Sequence, residues 1–281
     1  MPEGHTLRRL ATQLTEAFVG HRTRVSSPQG RFAAEAEELD GSVVDGADSA
    51  GKHLFIDFTG DRVVHIHLGL IGGLDVHRGV AEVPAPVGAV RLRLVTADRP
   101  TAYADLRGAT VCELVTPTAR ESVLARLGPD PLRADADPMR AWAKISRSDR
   151  PIGELLMDQA VLAGVGNVYR AEVLFRHRMH PLRPGRTLRR GQFLAIWTDL
   201  TALMAEGVRV GRIDTVRPEH TPEAMGRAPR VDDHGGEVYV YRRDGQPCLV
   251  CGSLVRTGVL AGRNSFWCPQ CQRAFRSRAL Q

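Results

Sequence analysis

Cys248-Leu249-Val250-Cys251 and Cys268-Pro269-Gln270-Cys271 lie sixteen residues apart in the last part of the chain. Zinc takes four thiolates at tetrahedral corners, and two facing CxxC turns supply them when the segment between folds back on itself. Gly252–Trp267 reads as that hairpin. Leu254, Val255, Val259 and Leu260 precede a turn at Ala261-Gly262-Arg263-Asn264, and Phe266 and Trp267 follow it. Paired disulfides are the competing use of four cysteines, but two CxxC pairs at this spacing form a zinc signature. One structural Zn2+ per chain is expected, because four thiolates leave no open coordination position for chemistry. The fifth cysteine, Cys112, lies in an apolar stretch and reads as a small buried hydrophobe.

The hairpin is basic. Arg256 and Arg263 lie on it, Arg273, Arg276 and Arg278 follow the last cysteine, and no acidic residue occurs from Pro247 onward. A rigid cationic hairpin is a good phosphate contact; a solvated surface is the alternative use of such charge. The whole chain of 281 residues carries a net charge of +6, which favours a polyanionic partner. Arginine supplies nearly all the cations, and the only lysines are Lys52 and Lys144. No apolar run is long enough to cross a membrane, and no basic-then-apolar leader opens the sequence. Thiolate zinc ligands fit a reducing compartment, so a cytoplasmic protein is expected, with a monomer as the default state.

The pattern changes along the chain. Residues 3–19 place Leu7, Leu10, Ala11, Leu14 and Phe18 at helical spacing. From Arg24 to about Leu114, short β-rich runs at 54–58, 63–68, 90–95 and 110–114 are separated by Gly, Asp and Pro, as in a sandwich or barrel. Residues 115–150 read as a proline-rich connection around a short helix. Helices are predicted at Ile152–Asp158, Val168–Arg176 and Arg190–Gly207, and residues 217–236 read as a mobile linker. The fold class is thus α+β and multidomain. Its parts are an N-terminal β-sandwich or barrel domain over 1–116, a connection over 117–145, a helical domain with linker over 146–236, and finger plus basic tail over 237–281.

The N-terminus offers chemistry. If Met1 is removed, Pro2 becomes a free secondary amine, able to attack a carbonyl-like carbon and form an iminium. An α-amine titrates lower than lysine, so more of it is unprotonated near neutral pH. Glu3 would stand beside it as a general acid or base. A proline that merely opens a helix at its first turn is the simpler use of the same residue.

Taken in order, Met1-Pro2-Glu3-Gly4, Gly51-Lys52-His53, His67-Leu68-Gly69-Leu70, the stretch Leu156–Tyr169 with its Ala163-Gly164-Val165-Gly166-Asn167 turn, and the four-cysteine finger resemble the formamidopyrimidine-DNA glycosylase / endonuclease VIII family. The similarity spans about residues 1–271. It implies a bifunctional DNA glycosylase and apurinic/apyrimidinic lyase of base-excision repair, with a helix–two-turn–helix domain bearing the finger. The implied partner is double-stranded DNA carrying damaged bases or abasic sites, in a bacterial cytoplasm or nucleoid.

The resemblance also implies roles. Pro2 would be the Schiff-base nucleophile and Glu3 its proton donor. Lys52 matches a strand-turn lysine that donates protons and contacts phosphate. Arg263 matches a hairpin arginine that holds phosphates and assists the second elimination. Asn167 matches the asparagine of the helix–two-turn–helix motif, where it could cap the next helix while bonding a phosphate. Leu70 and Ile71 match a loop that fills the gap left by an everted base. Arg126, before Leu127-Gly128-Pro129-Asp130, aligns with a DNA-contacting arginine of endonuclease VIII.

The match departs in three places. Tyr103–Ala109 lacks the Arg-Phe pair usual in the formamidopyrimidine type, which points to oxidised pyrimidines over 8-oxoguanine. Gly69 replaces the glutamine usual in endonuclease VIII, and Thr6 stands where both types carry glutamate. A zinc-dependent protein that binds damaged or abasic DNA with little base excision is the alternative. Such a binder would need none of Pro2, Glu3 and Lys52.

Overall fold

The computed structural model describes residues 2–98, 101–231 and 236–275. They form two compact units, Met1–Arg126 and Leu127–Gln281.

In the first unit, α1 (Gly4–Phe18) is followed by β1 (Arg22–Ser26), α2 (Ala33–Leu39), β2 (Ser42–Ala50), β3 (His53–Phe58), β4 (Arg62–His67), β5 (Gly73–Arg78), β6 (Val90–Thr96), β7 (Ala102–Arg107), β8 (Val111–Val115) and α3 (Pro117–Leu124). The strands join antiparallel in the order β5-β7-β6-β1-β2-β3-β4-β8. β1 meets β2 over only two residue pairs, so two four-stranded halves part there. Both halves feed one core. Leu54, Ile56, Val64 and Ile66 come from one half and Leu92, Leu94, Ala104 and Leu106 from the other. The apolar stripe of α1 completes it with Leu7, Leu10, Ala11, Leu14 and Phe18, as the helical spacing predicts. Each such buried leucine contributes about 1.5–3 kcal/mol, so its apolar stripe anchors α1.

The second unit contains α4 (Pro138–Ile145), α5 (Ile152–Leu155), α6 (Asn167–Arg176), α7 (Arg190–Val210), α8 (Pro222–Met225), β9 (Arg256–Leu260) and β10 (Arg263–Trp267). α6 is buried on all sides from Asn167 to Phe175. The finger shares the helices' core: Cys248, Val255, Phe266 and Cys268 belong to the same buried cluster as Tyr169, Leu174, Phe175 and Phe193. Among the described residues, no helix is long and apolar enough to cross a membrane.

Three sequence expectations change. The proline-rich stretch holds two helices, α3 and α4. Each starts with proline at its first position behind a capping side chain, Thr116 accepting from Ala119 N and Asp137 from Met139 N. Such prolines open helices instead of breaking them. The helix expected at Ile152–Asp158 stops at Leu155, because Asp158 and Gln159 capture backbone groups of the next turn: Ala160 N at 3.1 Å, Gly164 N at 2.9 Å and Val165 O at 3.0 Å. The segment expected to be a linker is built into the unit as far as it is described. It forms a 3-10 turn at Pro218–His220 and α8, with Arg227 paired to Glu237 and His220 bonded to the Tyr239 hydroxyl.

Candidate active site

In the first unit the site residues sit at four points: the start of α1, the β2–β3 turn, the loop after β4 and the end of α3. Glu3 is the residue before α1, with extended backbone, and is 0% exposed. Pro2 precedes it, half-buried. The Glu3 carbonyl accepts from Thr6 N at 2.9 Å, closing the first turn. Thr6, in place of the family's glutamate, holds the His5 ring by a 3.3 Å contact between Oγ1 and Nε2. Burial, then the positive charge of the chain terminus, keep the His5 imidazole down at about 4, so it is neutral near pH 7. α1 packs on β2 and β3, the hairpin whose turn carries Lys52. Side chains staple these parts together: Arg8 of α1 bonds Asp48 of β2 at 2.7 Å, and Arg120 of α3 bonds Asp57 of β3 at 2.8 Å and lies near Asp48.

Leu70 and Ile71 project from the loop after β4, 59% and 90% exposed. The loop is held from beneath. Thr110 donates from both its amide and its hydroxyl to the His67 carbonyl, and Gly69 N reaches His67 Nδ1 at 3.2 Å. Gly69 has φ +71°, and a Cβ there would lie 2.5 Å from Thr110 Cγ2. A side chain at 69 would be strained at this φ and would force Thr110 to shift. The neighbouring run lacking the Arg-Phe pair is strand through Arg107, not an open loop. Its charges are used within the sheet: Asp105 takes a bidentate pair from Arg93 at 2.7 and 2.8 Å, and Arg107 bonds Asp75 and Asp105. Arg126 is exposed just after α3, with its Nε on the Ser122 carbonyl.

The second unit holds Asn167, Arg263 and the cysteines. Sulfurs of Cys248, Cys251, Cys268 and Cys271 all lie within 4.8 Å of one another. Two of the pairs, Cys251–Cys268 at 3.4 Å and Cys248–Cys271 at 3.9 Å, are far beyond a disulfide bond and bracket the ~3.8 Å between thiolates on a tetrahedral zinc. The four-thiolate set therefore fits a zinc ion. Cys112 is buried as expected, and burial pushes its thiol up to about 12. Arg263 opens β10, exposed, beside a two-residue turn in which Ala261 and Gly262 both have positive φ, +48° and +72°.

Asn167 is not the helix cap that the sequence suggested. Gly166 holds the cap position, and Asn167 is the first helical residue. Its Nδ2 donates to the Asn264 carbonyl at 3.0 Å, and Arg170, itself buried, donates to the same carbonyl at 2.9 Å and to Asn167 Oδ1. Asn167 therefore holds the hairpin next to Arg263. A second tie was missed altogether. Buried Glu172 accepts from the Thr215 hydroxyl and from three consecutive amides, Tyr239, Val240 and Tyr241, at 2.6–2.8 Å. A carboxylate at the centre of the mostly apolar stretch 168–175, where Arg170 is the other charge, was its only sequence signal. Gln272 adds a third tie, to the Met179 carbonyl. Of the basic tail, Arg273 is exposed, whereas Arg276 and Arg278 lie outside the described residues.

Comparison with known proteins agrees with this layout. Residues 1–112 match the formamidopyrimidine-DNA glycosylase N-terminal domain, residues 127–218 the formamidopyrimidine-DNA glycosylase H2TH domain, and residues 245–274 the zinc finger found in FPG and IleRS. The chain is 52% identical over 277 residues to Endonuclease 8 1 of Mycobacterium tuberculosis, covering 97% of this chain and 100% of that protein. The chain belongs to the formamidopyrimidine-DNA glycosylase / endonuclease VIII family. It is an enzyme of that family, a DNA glycosylase and DNA-(apurinic or apyrimidinic site) lyase.

More distant relatives match over the same span. The DNA-(apurinic or apyrimidinic site) lyase Nei2 of Mycolicibacterium smegmatis is 33% identical, with 98% of this chain and 100% of that protein covered. A crystal structure of the Lactococcus lactis Fpg with abasic-site DNA superposes with a TM-score of 0.76 at 22% identity, covering 97% and 100% of the two chains. That likeness is one of fold.

Proposed function

We propose that the protein removes oxidised bases, pyrimidines above 8-oxoguanine, from double-stranded DNA in base-excision repair and then nicks the strand. The observation that carries the reading is a fully buried Glu3 carboxylate immediately before α1, with Pro2 beside it. After removal of Met1, the Pro2 nitrogen bonds C1′ of the deoxyribose as the bond to the damaged base breaks. The base leaves with that electron pair and gains a proton. Glu3 delivers a proton to the ring oxygen, the sugar opens, and an iminium joins Pro2 to C1′. The iminium acidifies C2′–H; loss of that proton expels the 3′ phosphate, and a second elimination expels the 5′ phosphate. Hydrolysis then frees Pro2.

Lys52 and Arg263 would hold the phosphates, Asn167 would steady the hairpin beside them, and Leu70 and Ile71 would enter the space of the everted base. Arg126 would add a backbone contact. One Zn2+ on the four cysteines would fix the hairpin, structurally and without a role in bond breaking. The pyrimidine preference is supported by the missing Arg-Phe pair and by the use of Arg107 inside the sheet.

The test is borohydride trapping on abasic-site DNA. Wild-type protein should give a covalent adduct that Pro2→Gly does not. No adduct from the wild type would leave a damaged-DNA binding protein in its place. Duplexes holding thymine glycol, dihydrouracil, 5-hydroxycytosine or 8-oxoguanine rank the lesions. Equal or greater excision of 8-oxoguanine opposite cytosine would overturn the preference.

A further inference from the structure

Strand alternation places His53 and Phe55 of β3, His65 and His67 of β4 and Glu113 of β8 on one face of the sheet, opposite the core residues Leu54, Ile56, Val64 and Ile66. On that face, side chains form a chain of hydrogen bonds. His53 Nδ1 lies 2.8 Å from His65 Nε2, and His65 Nδ1 lies 2.9 Å from Glu113 Oε1. A carboxylate only accepts. A neutral His65 then carries its proton on Nδ1 and offers its Nε2 lone pair, so that His53 donates from Nδ1. The order of donors leaves the Nε2 of His53 with a lone pair. The rings are stacked, His53 on His65 at 5.1 Å and His65 on Phe55 at 5.0 Å, which fixes their planes.

The permanent charges around His53 are positive: Lys52 precedes it in the turn and Arg126 approaches from the end of α3, while the imidazoles of His65 and His67 face it from β4. Glu113 is reached only through His65. Farther along the sheet, Asp48 and Asp57 are occupied by Arg8 and Arg120. Burial, then repulsion from a proton on His65 or His67 and from Arg126, holds the His53 imidazole down at about 4, so it is neutral near pH 7. Burial and the charge of Lys52 lower His67 as well. An anion seated here would reverse the balance.

We propose that His53 is a phosphate-binding residue whose Nε2 takes up one solvent proton when a DNA phosphodiester docks beside Lys52, the new charge being balanced through His65 by Glu113. The inference rests on the reading of Lys52 as a phosphate contact. The proton converts Nε2 from an acceptor, which repels a phosphate oxygen, into a donor, while Nδ1–H keeps its bond to His65. Binding at this face is thereby linked to pH.

The test is binding of a duplex holding a tetrahydrofuran abasic analogue, followed by fluorescence anisotropy between pH 5.5 and 7.5. Wild-type affinity should rise with falling pH about fivefold more per pH unit than that of His53→Asn, approaching the tenfold limit for one proton. Asparagine keeps a donor toward His65 but cannot titrate. Glu113→Gln, on an exposed strand position, should also flatten the slope while leaving the fold intact. Wild-type slopes in either variant would overturn the proposal. If the wild type still traps abasic DNA with borohydride, only the proposal about His53 falls; if it traps none, the reading of the DNA face falls with it.

Discussion

The two units hold the residues proposed for function in opposite ways. In the first, Pro2, Glu3, Lys52, Leu70 and Ile71 sit at a helix start, a hairpin turn and a loop, each braced by near neighbours on a sandwich with its own core. In the second, Arg263 and Asn167 take their places through long-range ties: Asn264 to Asn167 and Arg170, Glu172 to residues 239–241, Gln272 to Met179, and four cysteines to one another. Groups on local elements can be removed without unfolding their unit. Groups held by buried polar ties and a metal stand or fall together.

The sharpest way to break the contrast is to strip the cysteines of zinc. Structural zinc contributes on the order of 10 kcal/mol in small modules, so chelation or Cys268→Ser should disorder the hairpin and abolish tight duplex binding. Zinc content should fall from one per chain to none, with the sandwich still melting cooperatively in calorimetry. Next in size is Glu172→Ala. It strands a hydroxyl and three amides and should destabilise the second unit by about 4 kcal/mol, read as a drop in denaturant midpoint; Glu172→Gln should lose less.

Acid should separate the units too. The folded pKa of His5 is depressed from 6.5 to about 4, so the folded state resists protonation there. Stability contributed by its neutral form is full above pH 6.5 and is lost as pH falls toward 4, on the order of 3 kcal/mol. In the second unit, burial would raise the Asp199 carboxyl, but hydrogen bonds from His177 and Arg176 outweigh it and hold it at about 2. That contribution persists until pH falls through 3.8 toward 2. Circular dichroism across pH 7 to 3 should therefore show the first unit weakening before the second, and His5→Gln should remove part of that difference. The smallest expected effect on stability is that of Ile71→Ala. At 90% exposure the change should move stability by no more than about 0.5 kcal/mol, yet base excision should slow. A large loss of stability would place Ile71 in the core and out of the DNA.

What was legible in the sequence was what short-range pattern encodes. The 3.6-residue stripe from Leu7 to Phe18 announced α1, and alternating runs announced the strands at 53–58, 62–67, 90–96 and 111–115. The CxxC spacing announced four sulfurs that do meet. β2, β5 and β7 were not announced, because Asp, Gly and Ala interrupt them and their pairing comes from neighbours. The proline-rich stretch was expected to hold one short helix and holds two, because a capping side chain before Pro117 and before Pro138 makes each proline a helix start.

By itself, then, the amino-acid order determined the helix at the N-terminus, the strand-rich first unit, the finger's ligands and the family's motifs, because periodicity and ligand spacing are local properties of the chain. Tertiary structure alone decided that Asn167 holds a carbonyl rather than capping a helix, that Glu172 gathers three amides from 67 to 69 residues away, and that His53, His65 and Glu113 line up across three strands. Those arrangements depend on which buried polar groups find partners once distant segments meet, and no residue carries its partner's position in its own neighbourhood.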